Sequence, residues 1–173
     1  MVALNGTSSS GKTTLARALQ ERLTETWLLF GVDTFIPAIP ERLEGVPEGW
    51  TIQADGTIVV GDEWHRQYEH WRASVAAFVR SGGDVLLDEV LLRGGAGQRE
   101  WSDVFEGLDV TWVAVRCDLA ELERREIARG DRARHTARWQ HSRVHVGVHY
   151  DIELDSTATL PDVLAAQLVS QLG

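Results

Sequence analysis

The stretch from residue 6 to residue 13 constrains the fold of this chain more than any other. It fits the pattern G-x-x-x-x-G-K-[ST], the Walker A motif, and reads Gly6-Thr7-Ser8-Ser9-Ser10-Gly11-Lys12-Thr13. This motif requires a buried strand before it and a helix after it. Residues 1–5 are an apolar run suited to such a strand, and residues 14–23 repeat leucine at helical spacing. Motif and context together predict a phosphate-binding loop.

The residue types of the loop suit the phosphates of a nucleotide. Gly6 and Gly11 let the backbone turn its amides towards phosphate oxygens, and the N-terminus of the next helix adds a partial positive charge. Lys12, the only lysine in the chain, is expected to reach the β and γ phosphates, and the Thr13 hydroxyl to ligate magnesium. We therefore predict that residues 6–14, from Gly6 to Thr14, form the nucleotide site.

Strands and helices alternate along the rest of the chain. Further strands are predicted at residues 27–32, 84–88, 109–116 and 150–154. Further helices are predicted at residues 62–80, about 96–106, 118–129 and 161–172. Five parallel strands with helices on both faces follow, which is an α/β fold in three layers. We expect a single domain over residues 1–173, with a hairpin insertion at 50–61 on an Asp55-Gly56 turn.

Ligands of such sheets bind beyond the carboxyl ends of the strands, and two aspartates are predicted there. Asp88 ends an apolar strand, which is the Walker B pattern of a carboxylate that holds magnesium, and Glu89 could share this role. Asp33 follows the second strand, where a carboxylate could take a proton from an acceptor hydroxyl. The alternatives are that Asp88 caps the following turn and that Asp33 caps a helix.

Arginines are concentrated after the predicted helix 118–129. Arg129, Arg132 and Arg134 lie close together in sequence, and a basic stretch continues to residue 143. Guanidinium groups can neutralise charge that develops on a transferred phosphoryl group. We predict a lid over residues 129–143 and assign catalytic roles to Arg129 and Arg132. A solvated basic surface is the alternative.

Composition excludes several classes of function. The formal charge of -9 argues against a nucleic-acid partner, and no apolar run approaches the roughly 20 residues that span a bilayer. We expect no signal peptide and no membrane partner. The lone Cys117 cannot form an internal disulfide, which favours the cytoplasm. Zinc binding by His141, His145 and His149, spaced four apart, is disfavoured because no cysteine or carboxylate completes the ligand set.

The chain as a whole resembles the chloramphenicol phosphotransferase family of small phosphate-loop kinases. The resembling stretches span nearly all the chain: 4–13, 27–33, 54–56, 87–90, 112–118, 125–132, 144–145 and 150–151. Phe30-Gly-Val-Asp33 and Ala128-Arg-Gly-Asp-Arg132 are more specific than the loop itself. The resemblance implies the fold of phosphate-loop kinases and transfer of phosphate from ATP, with Mg2+, to a primary hydroxyl of chloramphenicol. It also implies that Asp33 is the general base.

Other functions stay open at this point to different degrees. A GTPase would need N-K-x-D, which a chain with one lysine at position 12 cannot contain. A nucleotide-binding module without catalysis would not need Asp33, Asp88 and the arginines. A kinase of the shikimate or gluconate type is the alternative within the same class. Apolar residues after Asp33, together with Trp50 and Trp64, favour a neutral, partly apolar alcohol as the small-molecule acceptor. A monomer and a homo-oligomer both stay open.

Overall fold

A computed structural model describes residues 1–129 and 135–172 of the chain. Its strands are β1 (Val2–Asn5), β2 (Trp27–Gly31), β3 (Trp50–Ile52), β4 (Ile58–Val60), β5 (Asp84–Glu89), β6 (Thr111–Arg116) and β7 (Ile152–Asp155). Its helices are α1 (Lys12–Gln20), α2 (Val32–Phe35), α3 (Asp62–Arg80), α4 (Gly95–Val104), α5 (Leu119–Arg129), α6 (Thr136–His141) and α7 (Pro161–Leu172). None of the helices within these residues is both long enough and apolar enough to cross a bilayer.

Five of the strands form one parallel sheet in the order β2-β5-β1-β6-β7. The predicted α/β class and the five-stranded parallel sheet are therefore confirmed. Helices cover both faces of a parallel sheet, so its strands are nearly continuously apolar. All four residues of β1, at the centre of the sheet, are accordingly buried.

Alternate residues of the strands pack against different helices. Leu4 belongs to the core under α1 and α7, together with Leu15 and Leu168. Ala3 belongs to the core on the opposite face, under α3 and α4, together with Trp101. The two-residue period of a strand produces this division. Because β2, β5 and β1 are parallel neighbours in the sheet, their carboxyl ends lie side by side at one edge.

The structure departs from the predicted elements in several places. β2 ends at Gly31, and Asp33 lies in the one-turn helix α2 rather than at the end of a strand. β6 and the last strand each start two residues later than predicted, at Thr111 and Ile152. The ends of α1 and α4 also differ from the prediction, by one to three residues. Helix α6 lies within the stretch that the sequence marked only as basic. Its six residues, Thr-Ala-Arg-Trp-Gln-His, are too few to give a clear helical period.

The predicted hairpin is present as β3 and β4, with Trp50 opposite Val60 and Ile52 opposite Ile58. Its loop contains Gly56 at a φ of 85°, a conformation that glycine adopts without steric cost. A Cβ at Gly56 would lie 2.5 Å from the carbonyl carbon of His135, so the tip of the hairpin lies directly against the start of α6. The hairpin and α6 therefore meet above the edge of the sheet.

We predict that Gly31→Ala destabilises the fold by about 1–3 kcal/mol, the usual range for overpacking. Gly31 pairs with Asp88 across β2 and β5, and a Cβ at Gly31 would lie 2.1 Å from the Asp88 carbonyl oxygen. The neighbour is backbone, so the strands must separate. Gly97→Ala is the matched control, because its Cβ would meet only side chains at 3.6 Å or more. Thermal unfolding should show a loss for Gly31→Ala alone; equal melting temperatures would contradict this packing.

Candidate active site

The phosphate-binding loop connects β1 to α1 and is held from several sides. Gly11 has a φ of 89° and directly precedes α1, so the loop turns at a residue without a side chain. Gly6 packs so closely that a Cβ would lie 2.4 Å from the Val115 carbonyl oxygen. The hydroxyl of Ser156 donates to the Ser10 carbonyl at 2.7 Å. These contacts fix the backbone whose amides would surround a phosphate group.

Lys12, Thr13 and Asp88 form a contiguous cluster at the start of α1. The ammonium of Lys12 is buried, donates to the Thr7 carbonyl at 2.9 Å and lies 3.7 Å from Asp88 Oδ1. The Thr13 hydroxyl donates to Asp88 Oδ2 at 2.5 Å. Asp88 therefore lies within β5, and its side chain accepts a hydrogen bond from a residue of α1. Both facts disagree with the alternative that Asp88 caps the following turn. A hydroxyl and a carboxylate side by side are the oxygen ligands that Mg2+ takes alongside nucleotide phosphates.

Asp33 lies in the first turn of α2, directly beside this cluster. The cap of α2 is made by Thr34, whose hydroxyl accepts from the Gly31 N–H at 2.9 Å and donates to the Gly31 carbonyl at 2.7 Å. Asp33 therefore does not cap the helix. It lines the same cleft as Lys12 and Asp88. The structure thus brings Asp33 together with Lys12, 21 positions earlier in the sequence, and with Asp88, 55 positions later.

Of the two lid arginines that were assigned catalytic roles, the structure describes one. Arg129 ends α5 and lines the phosphate cleft with Lys12, Thr13 and Asp33. Arg132 and the other residues of 130–134 lie outside the described residues, so the predicted role of Arg132 stays a prediction. The C-terminal half of the predicted lid, 129–143, includes helix α6. Glu126 of α5 accepts from the backbone N–H groups of His135 and Ala137, at 3.0 and 2.8 Å, which ties α6 to α5.

A larger, mainly apolar pocket of about 390 Å³ opens beside the phosphate cleft. Its walls come from α2, the hairpin, α3, α4 and α6, and its aromatic side chains are Trp50, Trp64, Tyr68, Trp101 and Trp139. The ring centroids of Trp50 and Trp64 lie 5.9 Å apart, and those of Tyr68 and Trp101 lie 6.1 Å apart. Asp33 lines this pocket as well as the phosphate cleft, so it lies at the junction of the two.

Glu89 also lines the aromatic pocket. Its Oε2 accepts from the Tyr68 hydroxyl at 2.6 Å, whereas the neighbouring Asp88 bonds to Thr13. Burial raises the pKa of Glu89 to about 7, and the Tyr68 hydrogen bond opposes that rise. Successive residues of a strand point to opposite faces, which explains why two adjacent carboxylates have different partners.

A third cleft of about 330 Å³ lies on the outer side of the loop, between Gly11, α5 and the start of α7. Arg125 holds this region together. Its Nη2 donates to the Ser156 carbonyl at 2.6 Å, and its Nε lies 2.7 Å from Glu121 Oε1. Ser9, Ser10 and Gly11 of the phosphate-binding loop line this cleft, so a nucleoside bound there would lie next to phosphates held by the loop.

Several residues that support the site were missed by sequence reasoning. Gln140 of α6 accepts a hydrogen bond from the Ser8 backbone N–H at 2.5 Å, and Trp139 of the same helix lines the aromatic pocket. Asn5 donates to the Tyr150 hydroxyl at 2.5 Å and accepts from the Leu91 N–H at 2.9 Å. These contacts join residues more than 80 positions apart, and no local pattern signals them.

The three histidines behave differently from one another. His145 Nδ1 lies 2.6 Å from the Tyr150 hydroxyl, and burial lowers the pKa of His145 to about 4, so it is neutral at pH 7. His141 and His145 border a cleft at the ends of β6 and β7, whereas His149 does not. Within residues 1–129 and 135–172 no three metal-binding side chains of His, Cys, Asp or Glu are grouped to hold an ion.

Comparison with solved structures identifies the fold. A sugar kinase from Janibacter sp. superposes with a TM-score of 0.70 at 20% identity, covering 99% of this chain and 92% of that one. The APS kinase of Mycobacterium tuberculosis, solved with AMPPNP and APS, gives a TM-score of 0.64 at 17% identity, covering 99% and 95%. A shikimate kinase from Acinetobacter baumannii gives 0.58 at 14% identity, covering 99% and 91%. The predicted fold of phosphate-loop kinases is confirmed.

Comparison of sequences identifies the family. Proteins from two strains of Mycobacterium tuberculosis, whose names give O-phosphotransferase as a provisional activity, are 36% identical over 188 aligned positions, covering 97% of this chain and 80% of each relative. The family model described as chloramphenicol phosphotransferase-like protein matches residues 1–173. Family and fold together support a phosphate-loop kinase or phosphotransferase. The chain belongs to the chloramphenicol phosphotransferase-like family.

Proposed function

We propose that this protein is an ATP-dependent O-phosphotransferase that transfers the γ-phosphate to a primary hydroxyl of chloramphenicol or a related aromatic antibiotic and so inactivates it. The observation that carries the proposal is the position of Asp33, which lines both the phosphate cleft and the aromatic pocket. A hydroxyl at that junction would meet the γ-phosphate on one side and a proton acceptor on the other.

The residues of the cleft can perform each part of the transfer. The Asp33 carboxylate takes the proton of the acceptor hydroxyl, whose oxygen forms a bond to the γ-phosphorus while the bond to the β–γ bridging oxygen breaks and ADP leaves. The Lys12 ammonium offsets negative charge on the β and γ phosphates. Arg129, and Arg132 by prediction, would do the same for the transferred group.

Thr13 and Asp88 would hold Mg2+, which supplies positive charge to the β and γ phosphate oxygens. Both contribute the hard oxygen ligands that this ion prefers, and they already lie in hydrogen-bond contact. The cleft between Gly11, Arg125 and the start of α7 would take the nucleoside. Binding the nucleotide across the loop in this way leaves the aromatic pocket for the acceptor.

The charge distribution of the aromatic pocket favours a neutral acceptor. Among the described residues, Arg72 and Arg93 are the arginines that line it, and both form ion pairs with Glu100. An anionic metabolite would need convergent arginines that bind its charge directly. The aromatic walls instead suit a flat apolar body. A shikimate- or gluconate-type kinase remains the alternative reading of the same fold.

ATP consumption with a panel of alcohols tests this proposal. We expect turnover with chloramphenicol and none with its deoxy analogue that lacks the primary hydroxyl. Shikimate, gluconate and nucleoside monophosphates serve as anionic controls. Turnover on one of these metabolites, and not on the drug, would overturn the proposed acceptor. The cytoplasmic location and the single-domain organisation remain predictions, as does the choice between monomer and homo-oligomer.

A further inference from the structure

Helix α6 contacts both the aromatic pocket and the phosphate-binding loop. Trp139 and Gln140 of this helix line the aromatic pocket. Gln140 Oε1 also accepts a hydrogen bond from the Ser8 backbone N–H of the loop at 2.5 Å. Ser8 in turn lines the phosphate cleft. One side chain of α6 therefore connects a wall of the aromatic pocket to the loop.

The hydrogen bond between Gln140 and Ser8 can form in one orientation of the amide. A backbone N–H donates and cannot accept, so Gln140 must present its oxygen to Ser8. Both residues are buried, at 2% and 4% exposure, and a buried N–H that loses its partner is costly. Gln140 lines the aromatic pocket but not the phosphate cleft, so its oxygen does not take the place of a phosphate. The N–H groups of the first turn of α1 remain for that role.

The order of α6 depends on contacts with the rest of the protein, because a helix of six residues is too short to be stable by itself in water. Glu126 holds its first turn through two backbone N–H groups. Gln140 provides the contact near the other end. After the helix, Asn5 donates to the Val144 carbonyl at 2.7 Å, so the following chain stays held without the Gln140 side chain.

We propose that Gln140 is a positioning residue that makes the order of α6, and with it a wall of the aromatic pocket, depend on the phosphate-binding loop. Phosphates bound by the loop would fix its backbone, including the Ser8 N–H, and a fixed donor holds the Gln140 amide more firmly. Reciprocally, a molecule held against Trp139 would raise the affinity of the loop for nucleotide by the same factor. The proposal rests on the proposed function in one respect, that the loop binds ATP.

Hydrogen–deuterium exchange with and without Mg2+ and AMPPNP, a non-hydrolysable ATP analogue, tests this link without an acceptor. In the wild type we expect the amides of residues 136–141 to exchange at least about fivefold more slowly at saturating nucleotide, the lower end of usual coupling factors. Gln140→Met lacks the amide oxygen and Gln140→Asn is one methylene shorter, so both should lose this effect. Gln167→Met, an exposed position on α7, should retain it.

A merely structural role of Gln140 gives a different result. Exchange of α6 would then rise by the same factor with and without nucleotide in the Gln140 variants, and an unchanged nucleotide effect would contradict the proposal. Gln140→Glu, which keeps an oxygen for the Ser8 N–H, should retain the effect. Unchanged or faster exchange of α6 in the wild type with bound nucleotide would also contradict it.

The outcomes separate this link from the proposed function. Slower exchange of α6 on nucleotide binding, without phosphoryl transfer to any alcohol, would leave the link standing and contradict the proposed function. Turnover of chloramphenicol by a protein whose α6 does not respond to nucleotide would do the reverse. Calorimetry measures AMPPNP binding to each variant, and no binding to the wild type would contradict both.

Discussion

Replacing Lys12 with alanine is expected to lower the rate of phosphoryl transfer on the order of a hundredfold or more, the usual loss when a charge-stabilising contact is removed. Lys12 is the only lysine of the chain, and its ammonium is buried between the Thr7 carbonyl and Asp88. A truncated side chain leaves no group of equal reach at that point. Initial rates at saturating ATP and acceptor measure the loss.

Arg17→Ala is the matched control for this variant. Arg17 lies on the same helix, α1, is exposed, and donates a hydrogen bond to Gln20 at 2.9 Å on the outer side of the fold. Its loss should leave turnover near the wild-type value. Circular dichroism would show whether both proteins are folded. Equal turnover of folded Lys12→Ala and the wild type would contradict the phosphate-binding role of the loop.

Replacing Asp33 with asparagine is expected to lower maximal turnover by roughly a hundred- to ten-thousand-fold, the range for a general base, while ATP affinity stays unchanged. The amide keeps the size of the side chain but cannot take a proton from the acceptor. Asp33 lies at the junction of the phosphate cleft and the aromatic pocket, whereas the predicted phosphate contacts come from residues 6–14, so we expect the nucleotide to bind without the Asp33 carboxylate.

Steady-state kinetics distinguish a base from a positioning residue at this site. A fall in maximal turnover with little change in the KM of the acceptor supports a base. A large rise in that KM with maximal turnover preserved would make Asp33 a positioning residue. Asp103→Asn, an exposed aspartate on α4, should match the wild type in both parameters and serves as the control.

Patterns confined to short windows of sequence predicted most of the fold. The Walker A motif predicted both β1 and α1, and α3 occupies the predicted residues 62–80. The parallel sheet followed from the alternation of strands and helices, because parallel pairing needs a crossover between strands. At α2 the sequence left open only a short or broken helix, since two prolines follow it closely and a single turn carries no period.

The site could be predicted less completely, because much of it depends on contacts between distant residues. Asp33 and Asp88 were identified because both follow apolar runs, and the structure places both beside Lys12. The bond between Gln140 and the Ser8 N–H spans 132 positions and has no local signature. The same holds for the bond between Tyr68 and Glu89, which only the packing of α3 on β5 creates.

Phosphorus NMR of the reaction products tests the central claim most directly. The claim is that the γ-phosphate of ATP passes, at Asp33, to the primary hydroxyl of a neutral aromatic alcohol in the adjoining pocket. With wild-type protein, ATP, Mg2+ and chloramphenicol, we predict a phosphomonoester signal coupled to two methylene protons, in an amount equal to the ADP formed. ADP and inorganic phosphate alone, with the drug recovered unchanged, would contradict the account.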